Sequence, residues 1–133
     1  MESHSASRDS RIVQITLAYD EGDDVSDIAG SLVGRREAGL PRRGAIAEQA
    51  PLILAGGISY RVLAAGLVKL ARGLKDVSIY VEIRRRSGEL KIFKGPTPGS
   101  AKIVVMGPDG CEEPHGADVD PEDLAGAIED ASE

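Results

Sequence analysis

Cys111 and His115 are the one thiol and imidazole that lie near each other in the sequence. Because Glu112 and Glu113 stand between them, the cluster can be considered for metal binding or nucleophilic catalysis. A zinc site, however, needs four side-chain ligands, or three and a water, and no third soft ligand is close in sequence. Pro114 also prevents the pair from sharing one face of a regular helix. We therefore interpret the cluster as a solvated loop and predict neither a metal site nor a catalytic residue.

A glycine-rich run at 95–102, GPTPGSAK, resembles a phosphate-binding loop. Such a loop requires four residues between its glycines, followed by Lys and Ser or Thr at the start of a helix, so that backbone N–H groups face phosphate. Here the glycines are closer together, the prolines remove N–H donors, and the pattern after Lys102 is that of a strand. No nucleophile elbow or helical metal pair occurs elsewhere, so we predict a non-enzymatic protein without a cofactor.

Basic residues concentrate on both sides of a predicted hairpin turn at Ser87-Gly88. They are Arg84, Arg85, Arg86, Lys91 and Lys94. Such a patch could bind nucleic acid or another phosphate-rich ligand. The neighbouring aromatics, Tyr80 and Phe93, lack the regular interleaving of an RNA-binding sheet, and an acidic segment follows in the same small chain. We keep this function as an alternative and regard nucleic acid as the less favoured partner.

The formal net charge of −6 conceals an acidic, basic, acidic order along the chain. Residues 1–34 carry 2 basic and 7 acidic side chains, residues 35–102 carry 14 and 5, and residues 103–133 carry 0 and 10. The three segments thus contribute −5, +9 and −10. Either the acidic C-terminal segment screens the basic middle, which we favour, or the basic middle is offered to an acidic partner.

The longest apolar run, over residues 45–71, predicts a central helix from Pro51 to Ala71. Its length of about 20 residues would suffice to cross a bilayer. Because Arg61 lies at its centre, we favour a core helix, then an oligomerising helix, and last a membrane-inserted one. Small residues along it would allow close packing against a partner. The predicted contact residues are Ala55, Gly56, Ser59, Arg61, Leu63 and Gly66.

Alternation of apolar and polar residues predicts strands at 11–19 and 76–84, the second with Tyr80, Glu82 and Arg84 facing outward. Shorter strands follow at 90–93 and 102–106. Amphipathic spacing predicts helices at 25–33 and after Asp120-Pro121, with a basic loop after the first helix. The expected fold is α+β, in the order β-α-α-β-β-β-α, with a mixed or antiparallel sheet of about four strands packed on the long central helix. Residues 107–120 are predicted to form an acidic loop.

The composition suits one domain, since 41% of the 133 residues are hydrophobic and 29% are charged. We assign residues 1–10 to a flexible polar leader without a targeting signal, and residues 11–133 to the domain. A single cysteine excludes an intramolecular disulfide, so a cytoplasmic location is expected. With no Trp and one Phe, the core must consist of Val, Ile, Leu and Ala, which disfavours an aromatic stacking site.

Four segments of the sequence form a recognisable series: RIVQITLAYDEGDDVSDIAGSLV, LILAGGISYRVLAAGLVKLARGL, DVSIYVEIRRRSGEL and the closing VDPEDLAGAIEDA. Together they resemble the effector-associated constant component domains of bacterial conflict systems. The residues from 96 to 119 depart from the pattern, as does the absence of Trp at the end of the long helix. The resemblance implies a non-enzymatic adaptor that accompanies a separate protease, nuclease or signalling effector.

These observations favour an adaptor or oligomerisation module that acts through protein–protein contacts, with another protein or a second copy as partner. The alternative is binding of a phosphate-rich ligand or nucleic acid by the basic hairpin. A weaker alternative is membrane association of the helix at 51–71.

Overall fold

The computed structural model describes residues 11–20, 22–38, 52–74, 76–84, 88–96 and 101–132. Within these ranges the chain forms seven strands and three helices. They are β1 (Ile12–Tyr19), α1 (Ser26–Ser31), β2 (Val33–Ala38), β3 (Leu52–Ser59), α2 (Tyr60–Arg72), β4 (Val77–Arg84), β5 (Glu89–Pro96), β6 (Ile103–Met106), β7 (Glu112–His115) and α3 (Pro121–Ser132).

All seven strands join one mixed sheet in the order β2-β3-β1-β5-β4-β6-β7. Two neighbouring pairs are parallel, β1 with β5 and β4 with β6, and the other four are antiparallel. The longest antiparallel ladders are β1–β3 and β4–β5, each paired along eight residues. The parallel β1–β5 pair therefore joins an antiparallel half, β2-β3-β1, to a mixed half, β5-β4-β6-β7.

One face of this sheet is apolar, and the three helices pack on it. The sheet side of the core consists of Val13, Ile15, Leu17, Leu54, Ile58, Ile79, Val81, Ile83, Leu90, Ile92, Ile103 and Val105. The helices contribute Ile28 from α1, Leu63 and Leu67 from α2, and Leu124 and Ile128 from α3, all at most 1% exposed. Because burial of such a side chain contributes about 1.5 to 3 kcal/mol, this layer is the main source of stability.

The predicted central helix over 51–71 is wrong, because its first half is strand β3. Leu52–Ser59 pairs with β1 on one side and β2 on the other. A Cβ at Gly57 would lie 2.7 Å from Cγ2 of Ile12, so a larger residue there would displace the Ile12 side chain. At Ser59 the backbone is still extended, and its hydroxyl accepts a hydrogen bond from the Val62 N–H at 3.4 Å, which caps α2.

Three strands that the sequence patterns did not predict account for the larger sheet: β2, β3 and β7. Residues 33–37 of β2 are all exposed, as are the first three residues of β7, so neither strand alternates apolar and polar side chains. The predicted helix at 25–33 ends at Ser31, and the expected basic loop after it begins as β2. The acidic loop at 107–120 likewise contains β7. The fold is α+β, but the four-stranded sheet on a long helix is wrong.

The other predicted elements are confirmed. Strands β1, β4, β5 and β6 lie at the predicted positions, and α3 begins at Pro121 with the Asp120 carboxylate accepting from the Glu122 N–H at 2.9 Å. Among the described residues no helix is long and apolar enough to cross a membrane. The membrane-inserted alternative requires a helix over 51–71, whereas Leu52–Ser59 is a strand and the helix spans Tyr60–Arg72. The leader at 1–10 lies outside the described residues.

Candidate functional site

The candidate site is the sheet face opposite the helices, which we call the open face. In the part of the chain that the structure describes, no helix packs on it. Strand alternation and register place on it Ile12, Gln14, Thr16 and Ala18 of β1, Val33 and Arg36 of β2, Ile53, Ala55 and Gly57 of β3, Tyr80, Glu82 and Arg84 of β4, Glu89, Lys91 and Phe93 of β5, and Val104 and Met106 of β6.

An apolar row crosses the open face from β3 to β6. It consists, in sheet order, of Ile53, Ala18, Phe93, Tyr80 and Val104. Ile53 pairs with Ala18, and Tyr80 pairs with both Phe93 and Val104. Ala18 and Phe93 are neighbours because they directly follow the paired residues Leu17 and Ile92. All except Val104 are partly accessible to solvent. Two further apolar side chains, Ile12 at 49% and Val33 at 64% exposure, lie towards the other end of the same face.

The two aromatic rings of this row are held in place by contacts within the chain. Tyr80 and Phe93 stack with ring centroids 5.5 Å apart and an interplanar angle of 9°. The Tyr80 hydroxyl donates to the carbonyl of Pro96 at 2.6 Å. A Cβ at Gly95 would lie 2.8 Å from the Tyr80 ring, so glycine leaves room for it. Because the rings are fixed before any partner arrives, little side-chain entropy would be lost on contact.

Next to the aromatic pair, the open face carries two cross-strand pairs of opposite charge. Glu82 of β4 stands opposite Lys91 of β5, and Arg84 stands opposite Glu89. Lys91 and Arg84 are exposed. The Glu89 carboxylate also accepts a hydrogen bond from Thr16 at 2.5 Å, which fixes its position on the face. The centre of the open face is therefore charged on one side of the aromatic pair and apolar around it.

Both edges of the sheet are built in ways that discourage another strand from pairing with them. At β2 the register shifts between Val33 and Arg36, where Gly34 has a φ of +67°. At β7 the strand contains Pro114, which cannot donate a backbone hydrogen bond. Bulges, charges and proline are the usual protections of edge strands. The open face, rather than an edge, is therefore the surface suited to contact.

The residues predicted as partner contacts on the long helix do not form one surface. Gly56, Ser59, Leu63 and Gly66 are buried in the chain's own interior. Ala55 lies on the open face. Arg61 is exposed on α2, beside a shallow groove of about 420 Å³ between α1 and α2. The groove is crossed at one end by an exposed ion pair, Lys69 Nζ to Asp27 Oδ2 at 3.1 Å.

The predicted basic patch is divided between two faces. Arg84 and Lys91 lie on the open face, whereas Lys94 alternates to the helix side, and Arg85 and Arg86 lie outside the described residues. Lys94 forms ion pairs with Asp20 and Asp23 of the loop after β1. Burial opposes its charge, but hydrogen bonds to the two aspartates raise the pKa of Lys94 overall. Lys94 is thus neutralised within the fold.

Strand β7 separates the two residues that could have formed a nucleophilic or metal site. Cys111 precedes the strand and His115 ends it, so their Cα atoms are about 13 Å apart at roughly 3.3 Å per residue. The Cys111 thiol is exposed and donates to Asp109 Oδ2 at 3.5 Å. That hydrogen bond and the carboxylate charge raise the pKa of the Cys111 thiol, which reduces its thiolate fraction. Nucleophilic catalysis is not supported by this geometry.

His115 itself lies near Glu113, with Nε2 and Oε2 3.4 Å apart, and its side chain is 12% exposed. Within the described residues no three His, Cys, Asp or Glu side chains are grouped to hold a metal ion. From the glycine-rich run, Gly95 and Pro96 belong to β5, and residues 97–100 lie outside the described residues. Lys102 Nζ donates a hydrogen bond to the Leu74 carbonyl at 3.2 Å, so its ammonium group contacts the protein backbone.

The sequence predicted only some of the residues on the open face. Alternation in β4 predicted Tyr80, Glu82 and Arg84 to face outward, and they do. Their partners across the face could not be predicted, for two reasons. The apolar pattern of β3 indicates a helix, and the parallel β1–β5 pairing joins residues that are far apart in sequence.

Comparison with known proteins does not add a relative: no protein-family model, no curated protein and no solved structure matches the chain.

Proposed function

We propose that the protein is a non-enzymatic interaction module, an adaptor or an oligomerisation module, that contacts protein through its open face. The observation that carries this proposal is the apolar row across the sheet, over which no described helix packs. A contiguous apolar surface bordered by charged residues is typical of protein–protein contact sites. The fixed Tyr80–Phe93 stack supplies the kind of rigid aromatic anchor that carries binding energy at such sites.

The chemistry of the remaining candidates supports the same proposal. Strand β7 separates Cys111 from His115, and Lys94 and Lys102 are held by Asp20, Asp23 and the Leu74 carbonyl, so these candidate residues do not form a reactive cluster. The resemblance to adaptor domains of bacterial conflict systems would make the partner an effector encoded nearby. The proposed site of action is the cytoplasm.

Co-purification with the products of neighbouring genes tests this function. The wild type is compared with Lys91→Glu on the open face and with Lys69→Glu, an equal charge change on the exposed surface of α2. We expect the wild type and Lys69→Glu to retain a partner or a second copy, and Lys91→Glu to weaken the contact about tenfold or more. A wild type that stays monomeric and binds none of these products would contradict the proposal, as would equal retention by all three proteins.

Binding of a phosphate-rich ligand or nucleic acid is the second candidate function. It is favoured by a cleft of about 280 Å³ at the end of β4, lined by Arg11, Arg84 and Tyr60 among others. Within the cleft Arg11 Nη1 pairs with Glu129 Oε2 at 2.9 Å, which reduces its charge towards an anion. If this function holds, affinity for a labelled single-stranded oligonucleotide must fall steeply between 50 and 200 mM salt and with Arg84→Glu. Absence of binding at low salt would exclude it.

A further inference from the structure

We infer that the occupant of the open face is a second copy of this chain, packed sheet against sheet about a two-fold axis that runs between β4 and β5. This inference rests on the proposed function and specifies its partner. It is carried by the charge pattern of the face, by its apolar row, and by the protection of both sheet edges.

The charge pattern of the open face is complementary to itself. On the β4–β5 ladder every charged residue of the face stands opposite one of the other sign, Glu82 opposite Lys91 and Arg84 opposite Glu89. A two-fold axis parallel to these strands and midway between them brings β4 of one copy over β5 of the other. Each charge then meets its opposite in the second copy.

The same axis matches the apolar row. Residues that are neighbours within one copy become facing residues between copies. The facing residues are Phe93 with Tyr80 and Lys91 with Glu82, and all four are at least partly accessible. Val104 is 1% exposed, so the contact on that side ends at Tyr80. Two sheets packed in this way remain within about 30° of parallel and enclose an apolar layer about 10 Å thick.

The size of the face suits a stable dimer. Seven strands about 4.8 Å apart span roughly 30 Å, and eight-residue strands are about 25 Å long, so the face covers on the order of 700 Å². Stable interfaces bury about 800 Å² on each partner. Because the bulge of β2 and Pro114 of β7 discourage edge-to-edge pairing, self-association through the face is favoured over pairing of the sheet edges.

Charge reversal tests the inference through sedimentation velocity and light scattering of the full chain over a range of concentrations. We expect the wild type to be dimeric. Lys91→Glu and Glu82→Lys each place like charges at two symmetric positions and should raise the dimer Kd about tenfold or more. Lys69→Glu, the matched control on α2, should leave the Kd unchanged.

Mixing the two single variants provides the decisive measurement. A face with Lys91→Glu carries two carboxylates at these positions and a face with Glu82→Lys carries two ammonium groups, so the mixture should form a heterodimer although each variant alone does not. Loss of the Glu82–Lys91 pair within a chain cannot be repaired by mixing, so damage to the monomer would not give this result. Circular dichroism establishes that both variants fold.

The outcomes separate the inference from the proposed function. A wild type that is monomeric at every concentration, or a dimer unaffected by both reversals, overturns the second copy as occupant. If the same monomer still loses a co-purifying gene product on Lys91→Glu, the interaction module stands and its partner is another protein. Two monomeric variants that fail to associate when mixed also overturn the inference.

Discussion

At the scale of single residues, the exposed Cys111 thiol lies against a carboxylate that opposes its ionisation. Its Sγ donates to Asp109 Oδ2 at 3.5 Å, and its N–H donates to Oδ1 of the same carboxylate at 3.3 Å. Deprotonation would place two negative charges side by side, so the pKa of the thiol is raised. Since the thiolate is the reactive form, we expect alkylation near neutral pH to be slower than for an unperturbed cysteine.

Asp109→Asn tests this expectation. The substitution removes the charge and retains an acceptor oxygen, so it should lower the pKa of Cys111 and increase the rate of reaction with iodoacetamide at pH 8 several-fold. The rate should be measured as a function of pH, and its midpoint should move to lower pH. Asp118→Asn is the control, because it makes the same charge change at another exposed position. Superimposable profiles for the wild type and Asp109→Asn would contradict the interpretation.

At the scale of elements, α1 and α2 approach each other so closely that one glycine is required. A Cβ at Gly66 would collide with Cγ1 of Ile28, which is 1% exposed and cannot move away freely. Gly66→Ala gains about 1 kcal/mol of helix propensity, but overpacking costs about 1 to 3 kcal/mol. We expect a net loss of about 1 kcal/mol in the free energy of unfolding, measured by urea denaturation.

Gly30→Ala is the matched control, because Gly30 lies in α1 and a Cβ there has no neighbour within 4 Å. It should stabilise the protein by up to about 1 kcal/mol, since only the helix-propensity gain remains. Equal stabilisation by both substitutions would show that α1 does not pack against Gly66.

The same scale explains how much of the fold could be predicted. Alternation in β1 and β4 and the Asp120-Pro121 cap of α3 are local signals, and the elements that they predicted are confirmed. The prediction of a helix was wrong for β3, because this strand is paired on both sides within its half of the sheet. Its apolar residues, which include Ile53, Leu54 and Ile58, therefore form one continuous apolar run with the helix that follows. Apolar periodicity cannot separate a two-sided strand from a buried helix. The apolar row of the open face depends on register across five strands, which no local pattern contains.

At the scale of the whole molecule, the charge segments partly neutralise one another among the described residues. Acidic residues of the first segment, Asp20, Asp23 and Asp27, pair with Lys94 and Lys69 of the basic middle. Screening of the basic middle by the acidic C-terminal segment stays a prediction. From that C-terminal segment, Glu129 pairs with Arg11, the residue before β1. Because these two residues are 118 positions apart, their ion pair joins the first strand to the last helix.

Breaking this last ion pair should destabilise the molecule, because Glu129 is only 7% exposed whereas Arg11 is half exposed. We expect Arg11→Met to lower the free energy of unfolding by about 1 to 3 kcal/mol, since it leaves a buried carboxylate without this cation. Glu129→Leu combined with Arg11→Met should recover most of that loss, because no buried charge then remains. Urea denaturation at pH 7 of both single variants and the double variant completes the cycle. A coupling energy below about 0.5 kcal/mol would show that the two residues contribute independently.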